Sequence, residues 1–392
     1  MAFVTEWFWF FLLLPIAALS GWVIGRRGGE RHSDTQVSRL STTYFRGLNY
    51  LLNEQPDKAI ELFLHIAELD KETFETQLAL GHLFRRRGEV DRAIRLHQGL
   101  AQRADLNDQQ KVLALLALGE DYMKSGLLDR AEVVFTDLAK IDQRAPQALK
   151  HLIGIYEAER DWAKAIENAT RFEAATGEPM GKLVAQFECE LADRLRLAGD
   201  AEGAREAVAR AYAADSKSVR AGILDGRLET DAGNDAAAIR AYERAARHDT
   251  DFLPEVLPAL LAAYDRVGDA SGARKFLAEM SEHYRGIAPV LALTRLVEAQ
   301  DGVHAARAYL AQQLKDRPSV RGEATLIDLT LADNTDLAAT LQDLRLITEQ
   351  LLVRNPSYRC TRCGFGARSH HWQCPSCKDW GTIKPLLNYA VV

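Results

Sequence analysis

Excess charge of either sign is missing from this chain. Its 392 residues carry 49 lysines and arginines against 55 aspartates and glutamates, a net charge of −6. That balance excludes a nucleic-acid surface running the length of the chain. Proline is sparse, at 11 residues, while alanine, leucine, arginine and glutamate dominate. This is the composition of an all-helical protein. There is no phosphate-binding glycine loop and no Gly-x-Ser-x-Gly nucleophile motif. Histidines are scattered without metal-ligand spacing, so nothing visible marks an enzyme. Cysteine is scarce as well, five in all, but four of the five fall between Cys360 and Cys377.

Those four, Cys360, Cys363, Cys374 and Cys377, form Cys-x2-Cys, a ten-residue spacer, then Cys-x2-Cys. Each pair bends the backbone into a knuckle whose thiolates point at one ion, so the spacing predicts a tetrahedral site of four cysteines. A closed shell leaves no position for substrate and implies a structural role. Iron and zinc both accept tetrahedral sulfur, so the ion is one or the other. Gly364 stands where a knuckle needs left-handed backbone. The run resembles a rubredoxin-type or zinc-ribbon module, with a shorter spacer and no proline after the cysteine of its first knuckle. His370 and His371 are alternative ligands by type, but four thiolates already close the shell. That leaves them as hairpin-tip or interface residues. Phe365, Trp372 and Trp380 are expected to pack on the knuckles or on the neighbouring domain. Cys189 stands alone and reads as an inert, partly buried thiol.

Trp7 to Ile24 is apolar and uncharged, long enough for a single bilayer-spanning helix. Trp7, Trp9 and Trp22 lie near its ends, and Arg26, Arg27 and Arg31 follow. By the positive-inside rule the bulk of the chain then lies on the cytoplasmic side. A cleaved signal peptide is disfavoured, because no basic residue precedes the apolar run. A reducing cytoplasm favours a metal site over disulfides among the four cysteines.

Between these ends the sequence repeats. Ala59, Ala93, Ala131, Ala165, Ala204, Ala238, Ala273 and Ala306 are spaced by 34, 38, 34, 39, 34, 35 and 33 residues. A Gly-Asp-like turn precedes most of them. Twelve residues before the alanine a small residue recurs (Gly47, Gly81, Gly119, Ala192, Gly226), and nine before, an aromatic (Tyr50, Phe84, Tyr122, Tyr156, Tyr264). The pattern resembles the tetratricopeptide repeat, in about eight copies of paired helices. The glycine-rich stretch Gly177 to Lys182 is the expected flexible point. Such arrays present a groove lined by the first helix of each pair. The register nominates His82, Arg85, Glu120, Met123, Asp193, Arg196 and Arg227 as its partner-binding face, against the plainer reading of a solvated helix surface.

The resulting division is a transmembrane anchor over 1–27, a cytoplasmic linker over 28–40, and the repeat array over 41–320. Connecting helices occupy 321–355, including an amphipathic helix capped by Asn334-Thr335-Asp336, and the metal module 356–392. The fold class is all-α, a tetratricopeptide solenoid with an N-terminal transmembrane helix and a small C-terminal rubredoxin-like module.

This order of parts over the full length resembles the lipopolysaccharide assembly protein B family of Gram-negative bacteria. The most specific residues are Tyr358-Arg-Cys-Thr-Arg-Cys-Gly-Phe and Cys374-Pro-Ser-Cys-Lys-Asp-Trp-Gly-Thr-Ile-Lys-Pro. The resemblance implies a single-pass protein of the bacterial inner membrane that restrains lipopolysaccharide synthesis. It implies an adaptor that promotes degradation of the UDP-3-acyl-N-acetylglucosamine deacetylase by the membrane protease FtsH, opposed by an inner-membrane protein that senses lipopolysaccharide. The family's metal-binding cysteines correspond to Cys360, Cys363, Cys374 and Cys377. Membrane lipid is a partner through the N-terminal helix, and no nucleic acid is expected. Two other readings stay open: a scaffold that gathers lipopolysaccharide synthesis and export proteins, and an iron-based redox or metal sensor.

Overall fold

The structure, a computed structural model, describes residues 74–140, 145–333 and 338–386, with five isolated helical positions before Phe74. The apolar run Trp7 to Ile24, the first repeat around Ala59 and the capping run Asn334 to Asp336 lie outside the described residues. Among the described residues no helix is long and apolar enough to cross a membrane.

Sixteen described α-helices, with a 3-10 turn at Thr250–Phe252, precede three short strands. They are α1 (Phe74–Arg87), α2 (Val90–Ala101), α3 (Asp108–Lys124), α4 (Leu128–Leu138), α5 (Ala145–Glu159) and α6 (Trp162–Thr176). Next come α7 (Gly181–Leu197), α8 (Ala201–Ala214), α9 (Val219–Asp231), α10 (Asp235–His248), α11 (Leu253–Val267) and α12 (Ala270–His283). The series ends with α13 (Ala288–Asp301), α14 (Val303–Asp316), α15 (Val320–Asp333) and α16 (Ala338–Arg354). Odd-numbered helices are the first of each pair. The stretch 321–355 is α15 and α16, which pack as the pairs before them do. The chain forms two compact units, one through Ile155 and one from Tyr156. The glycine-rich stretch at 177–182 falls inside the second unit. The division lies within α5, and Glu157, near that helix's end, is where contacts with the C-terminal module begin.

The turn chemistry explains six of the described pairs. Gly88, Gly126, Gly199, Gly233 and Gly268 all have φ between 75° and 86°. There the next amide reaches back five residues, as Glu89 N does to Phe84 O at 2.9 Å, which satisfies a carbonyl at the helix end. Arg160 takes the same turn at φ 58° without being glycine, and Asp161 after it caps α6 by accepting from Lys164 N.

The repeated alanines are the seam. Ala93, Ala131, Ala165, Ala204, Ala238 and Ala306 are fully buried, and Ala273 is nearly so. The small residue twelve positions earlier has a specific partner. A Cβ on Gly119 would meet the Phe135 ring at 2.6 Å, and one on Gly226 the Tyr242 ring at 2.4 Å. The ring stands four residues after the repeated alanine, so glycine on one helix seats an aromatic from the next. Tyr242 is 1% exposed and has no space to retreat. Gly226→Ala is therefore expected to cost the second unit about 1–3 kcal/mol. Urea unfolding checks this, and a midpoint equal to the parent's would show that the backbone absorbs the methyl.

The strands β1 (Tyr358–Cys360), β2 (Gly366–Ala367) and β3 (Ile383–Pro385) form an antiparallel sheet in the order β2-β1-β3. Tyr358 pairs with Ala367 on one side and Pro385 on the other. This ribbon packs on the first-helix side of the second unit.

Candidate metal centre and its docking surface

Both knuckles have the same backbone. Gly364 N donates to Cys360 O at 3.0 Å, and Lys378 N to Cys374 O at 2.9 Å. The residue after each Cys-x2-Cys is left-handed, φ 76° at Gly364 and 60° at Lys378. The second knuckle thus accepts strain that glycine relieves in the first. The four Sγ atoms lie within 4.8 Å of one another. Cys360 Sγ is 3.7 Å from Cys377 Sγ, and Cys363 Sγ is 3.7 Å from Cys374 Sγ. Metal–sulfur bonds of about 2.3 Å in a tetrahedron require roughly 3.8 Å between sulfurs. All four cysteines are free of disulfides. The set fits one tetrahedral ion, zinc or iron, and neither histidine joins it.

The two sulfurs of the first knuckle are held toward the thiolate, whereas Cys377, despite the Asp379 amide, is pushed up to about 12 by burial and by the neighbouring sulfurs. The Thr382 hydroxyl, 3.3 Å from Cys360 Sγ, and the Cys363 amide pull the Cys360 thiol down to about 6. The Phe365 amide lowers Cys363 in the same way. Arg362 binds Asp379 at 3.0 Å and links the two knuckles. Cys189 is the opposite case. It is fully buried, and burial pushes its thiol up to about 12.

Two tryptophans anchor the ribbon. Trp372 stacks on Phe252, with ring centres 5.2 Å apart. Trp380 meets Trp162 and Phe187 edge-on, and its Nε1 donates to Glu157 at 2.5 Å. Arg220, 6% exposed, lies over both indoles and binds Glu190 at 2.7 Å. Lys384 binds Asp249 at 2.6 Å, and Tyr358 donates to Glu255. His370 sits among Phe252, Tyr358 and Trp372 as an interface residue, while His371 is exposed. Phe365 is 36% exposed, so of the three expected anchors it alone faces outward.

The seven nominated groove residues separate into two groups. In the first unit Arg85, Glu120 and Met123 line an open cavity of about 500 Å3 with His151. Arg85 binds Glu120 at 2.6 Å, Asp121 at 2.9 Å and His82 at 3.1 Å. Burial, reinforced by the Arg85 charge, lowers His82 to about 4. Beneath them His97 Nδ1 is 2.5 Å from Asp121 Oδ2, both fully buried. In the second unit Arg196 binds Asp193 and Asp231, while Arg227 is exposed. These three lie toward the C-terminal ends of α7 and α9, away from the ribbon contacts at Phe187 and Arg220. Sequence reasoning missed Arg220, Glu157 and Phe252. The two tryptophans were its one signal that such partners exist.

A family model described as a rubredoxin metal binding domain matches residues 358–385. A tetratricopeptide repeat model matches residues 78–111. Lipopolysaccharide assembly protein B of Escherichia coli K12 is 39% identical over 378 residues, covering 96% of this chain and 97% of that protein. The chain belongs to the lipopolysaccharide assembly protein B family. The Haemophilus influenzae member is 34% identical over 389 residues, covering 96% of this chain and 98% of its own length. Among solved structures, a crystal structure of MamA protein matches at 22% identity and a TM-score of 0.33, over 47% of this chain and 95% of that one. Family membership thus accompanies a helical repeat array of tetratricopeptide type bearing a C-terminal four-cysteine ribbon.

Proposed function

We propose that this chain is a membrane-anchored adaptor that delivers the UDP-3-acyl-N-acetylglucosamine deacetylase to the protease FtsH, and so restrains lipopolysaccharide synthesis. The observation that carries the reading is the end-to-end match to lipopolysaccharide assembly protein B. The apolar run Trp7 to Ile24 supports an inner-membrane anchor with the array on the cytoplasmic side. Anchoring places the array in the plane of the protease, and holding client or protease there raises their effective concentration. An inner-membrane protein that senses lipopolysaccharide opposes the adaptor. A helical repeat array with a closed thiolate site suits holding rather than catalysis.

The test is the half-life of the deacetylase in cells depleted of this chain while the protease remains. A lengthened half-life is expected. An unchanged one sinks the adaptor and leaves a scaffold for synthesis and export proteins as the account.

A further inference from the structure

Beside the ribbon, on the first-helix side of the second unit, lies a cleft of about 280 Å3. Its floor is apolar: Leu257 and Leu261 come from α11, Leu291 from α13, and Ile287 from the position just before α13. Its rim carries Arg295 and Arg321, and no acidic residue lines it. Arg321 Nη2 donates to Ser357 Oγ at 3.2 Å, within the same cleft. Arg295 is exposed and makes no hydrogen bond or ion pair among the described residues. Most other arginines of this unit are not left in this way. Arg196, Arg220, Arg244, Arg247 and Arg266 all hold carboxylates.

We propose that this cleft captures the carboxyl terminus of a partner polypeptide whose last side chain is apolar. Arg295 and Arg321 both line the cleft, and a guanidinium supplies forked donors matched to a carboxylate. The first turns of α11, α13 and α15 also border the cleft, at Pro254, Ala288 and Arg321, and their dipoles add positive potential. The leucine and isoleucine floor takes the terminal side chain. The volume lies just below the usual small-molecule range of roughly 300–1,000 Å3, which suits one or two side chains. A helical repeat array holds peptides along its first helices, and capture of a terminal carboxylate is a recurrent mode of recognition. An acyl chain bearing an anionic head is the competing occupant.

The probe is an N-terminally fluorescein-labelled hexapeptide of glycine and serine ending in two leucines, made as free acid and as C-terminal amide. Anisotropy is measured on the full-length, detergent-solubilised chain with its metal. The acid should bind saturably and the amide about tenfold more weakly, a loss of about 1.4 kcal/mol. Arg295→Ala and Arg321→Ala should each weaken the acid about fivefold or more without shifting the thermal transition. Equal binding of acid and amide overturns the proposal. So does unchanged affinity in both arginine variants, or no binding up to about 1 mM peptide. Displacement by dodecanoate at far lower concentration than by unlabelled peptide overturns it in favour of the acyl anion. The assay uses the purified chain alone, so its failure leaves the proteolytic reading standing, and the reverse also holds.

Discussion

Replacing Cys360 and Cys363 together by serine is expected to remove the metal and unfold the ribbon, while the first unit keeps its thermal transition. The ribbon has almost no core of its own. Its buried cluster is Cys360, Cys374 and Ile383, with Tyr358 and Cys377 partly covered. Two of the three buried residues are thus candidate metal ligands. Burying Ile383 contributes about 2–3 kcal/mol, whereas a structural zinc site contributes about 10–16 kcal/mol to folding. The strands are two or three residues long and cannot hold together alone. Elemental analysis should fall from about one ion per chain to none. Trypsin should then cut at Arg359, Arg362, Arg368 and Lys378. A metal-free chain that resists cleavage there would show that docking, not the ion, folds the ribbon.

Arg220→Ala should do the opposite: keep the metal and release the ribbon from its seat. The guanidinium lies 5.5 Å from the Trp372 ring centre and 5.7 Å from that of Trp380. Desolvated contacts of that kind contribute about 2 kcal/mol. The change also strips Glu190 of its partner, and breaking a buried pair costs about 3–5 kcal/mol. Glu190 is 30% exposed, so solvent recovers part of that, and a total loss of about 2–5 kcal/mol is expected. Lysine cannot lie flat against two indoles, so Arg220→Lys should rescue little. Hydrogen exchange is the measurement. Amides of 358–386 and of the first turn of α9 should lose protection together while metal content stays at the parent level. Unchanged protection would assign the docking to Trp372 on Phe252 and Trp380 on Glu157 alone.

These two variants separate what the two parts of the ribbon do. The knuckles were legible in the sequence because each is closed within five residues, with its left-handed position set by chain geometry at Gly364 and Lys378. The helix pairs were legible for a related reason. A glycine and the ring that covers it are 16 residues apart, as Gly226 and Tyr242 are, and the motif returns every 33 to 39 residues. Local patterns of this kind survive in one dimension. Arg160 shows the limit, since an arginine carries the turn that glycine marks elsewhere.

The seat of the ribbon was not legible. Trp380 bonds Glu157 across 223 residues and Tyr358 bonds Glu255 across 103. No periodicity relates such pairs, and Arg220 looks in sequence like any helical arginine. The expected groove face spread over His82, Arg85, Glu120, Met123, Asp193, Arg196 and Arg227, because the register treats every repeat alike. In the folded second unit the repeats are not alike. The ribbon covers the first turns of α9 and α11, and the cleft with the uncommitted Arg295 opens beside it. The order of residues was enough to specify the elements: paired helices sealed by small residues, and a thiolate site closed by two knuckles. Which surface stays available was settled by packing in three dimensions, because burial of a side chain depends on what meets it from far along the chain.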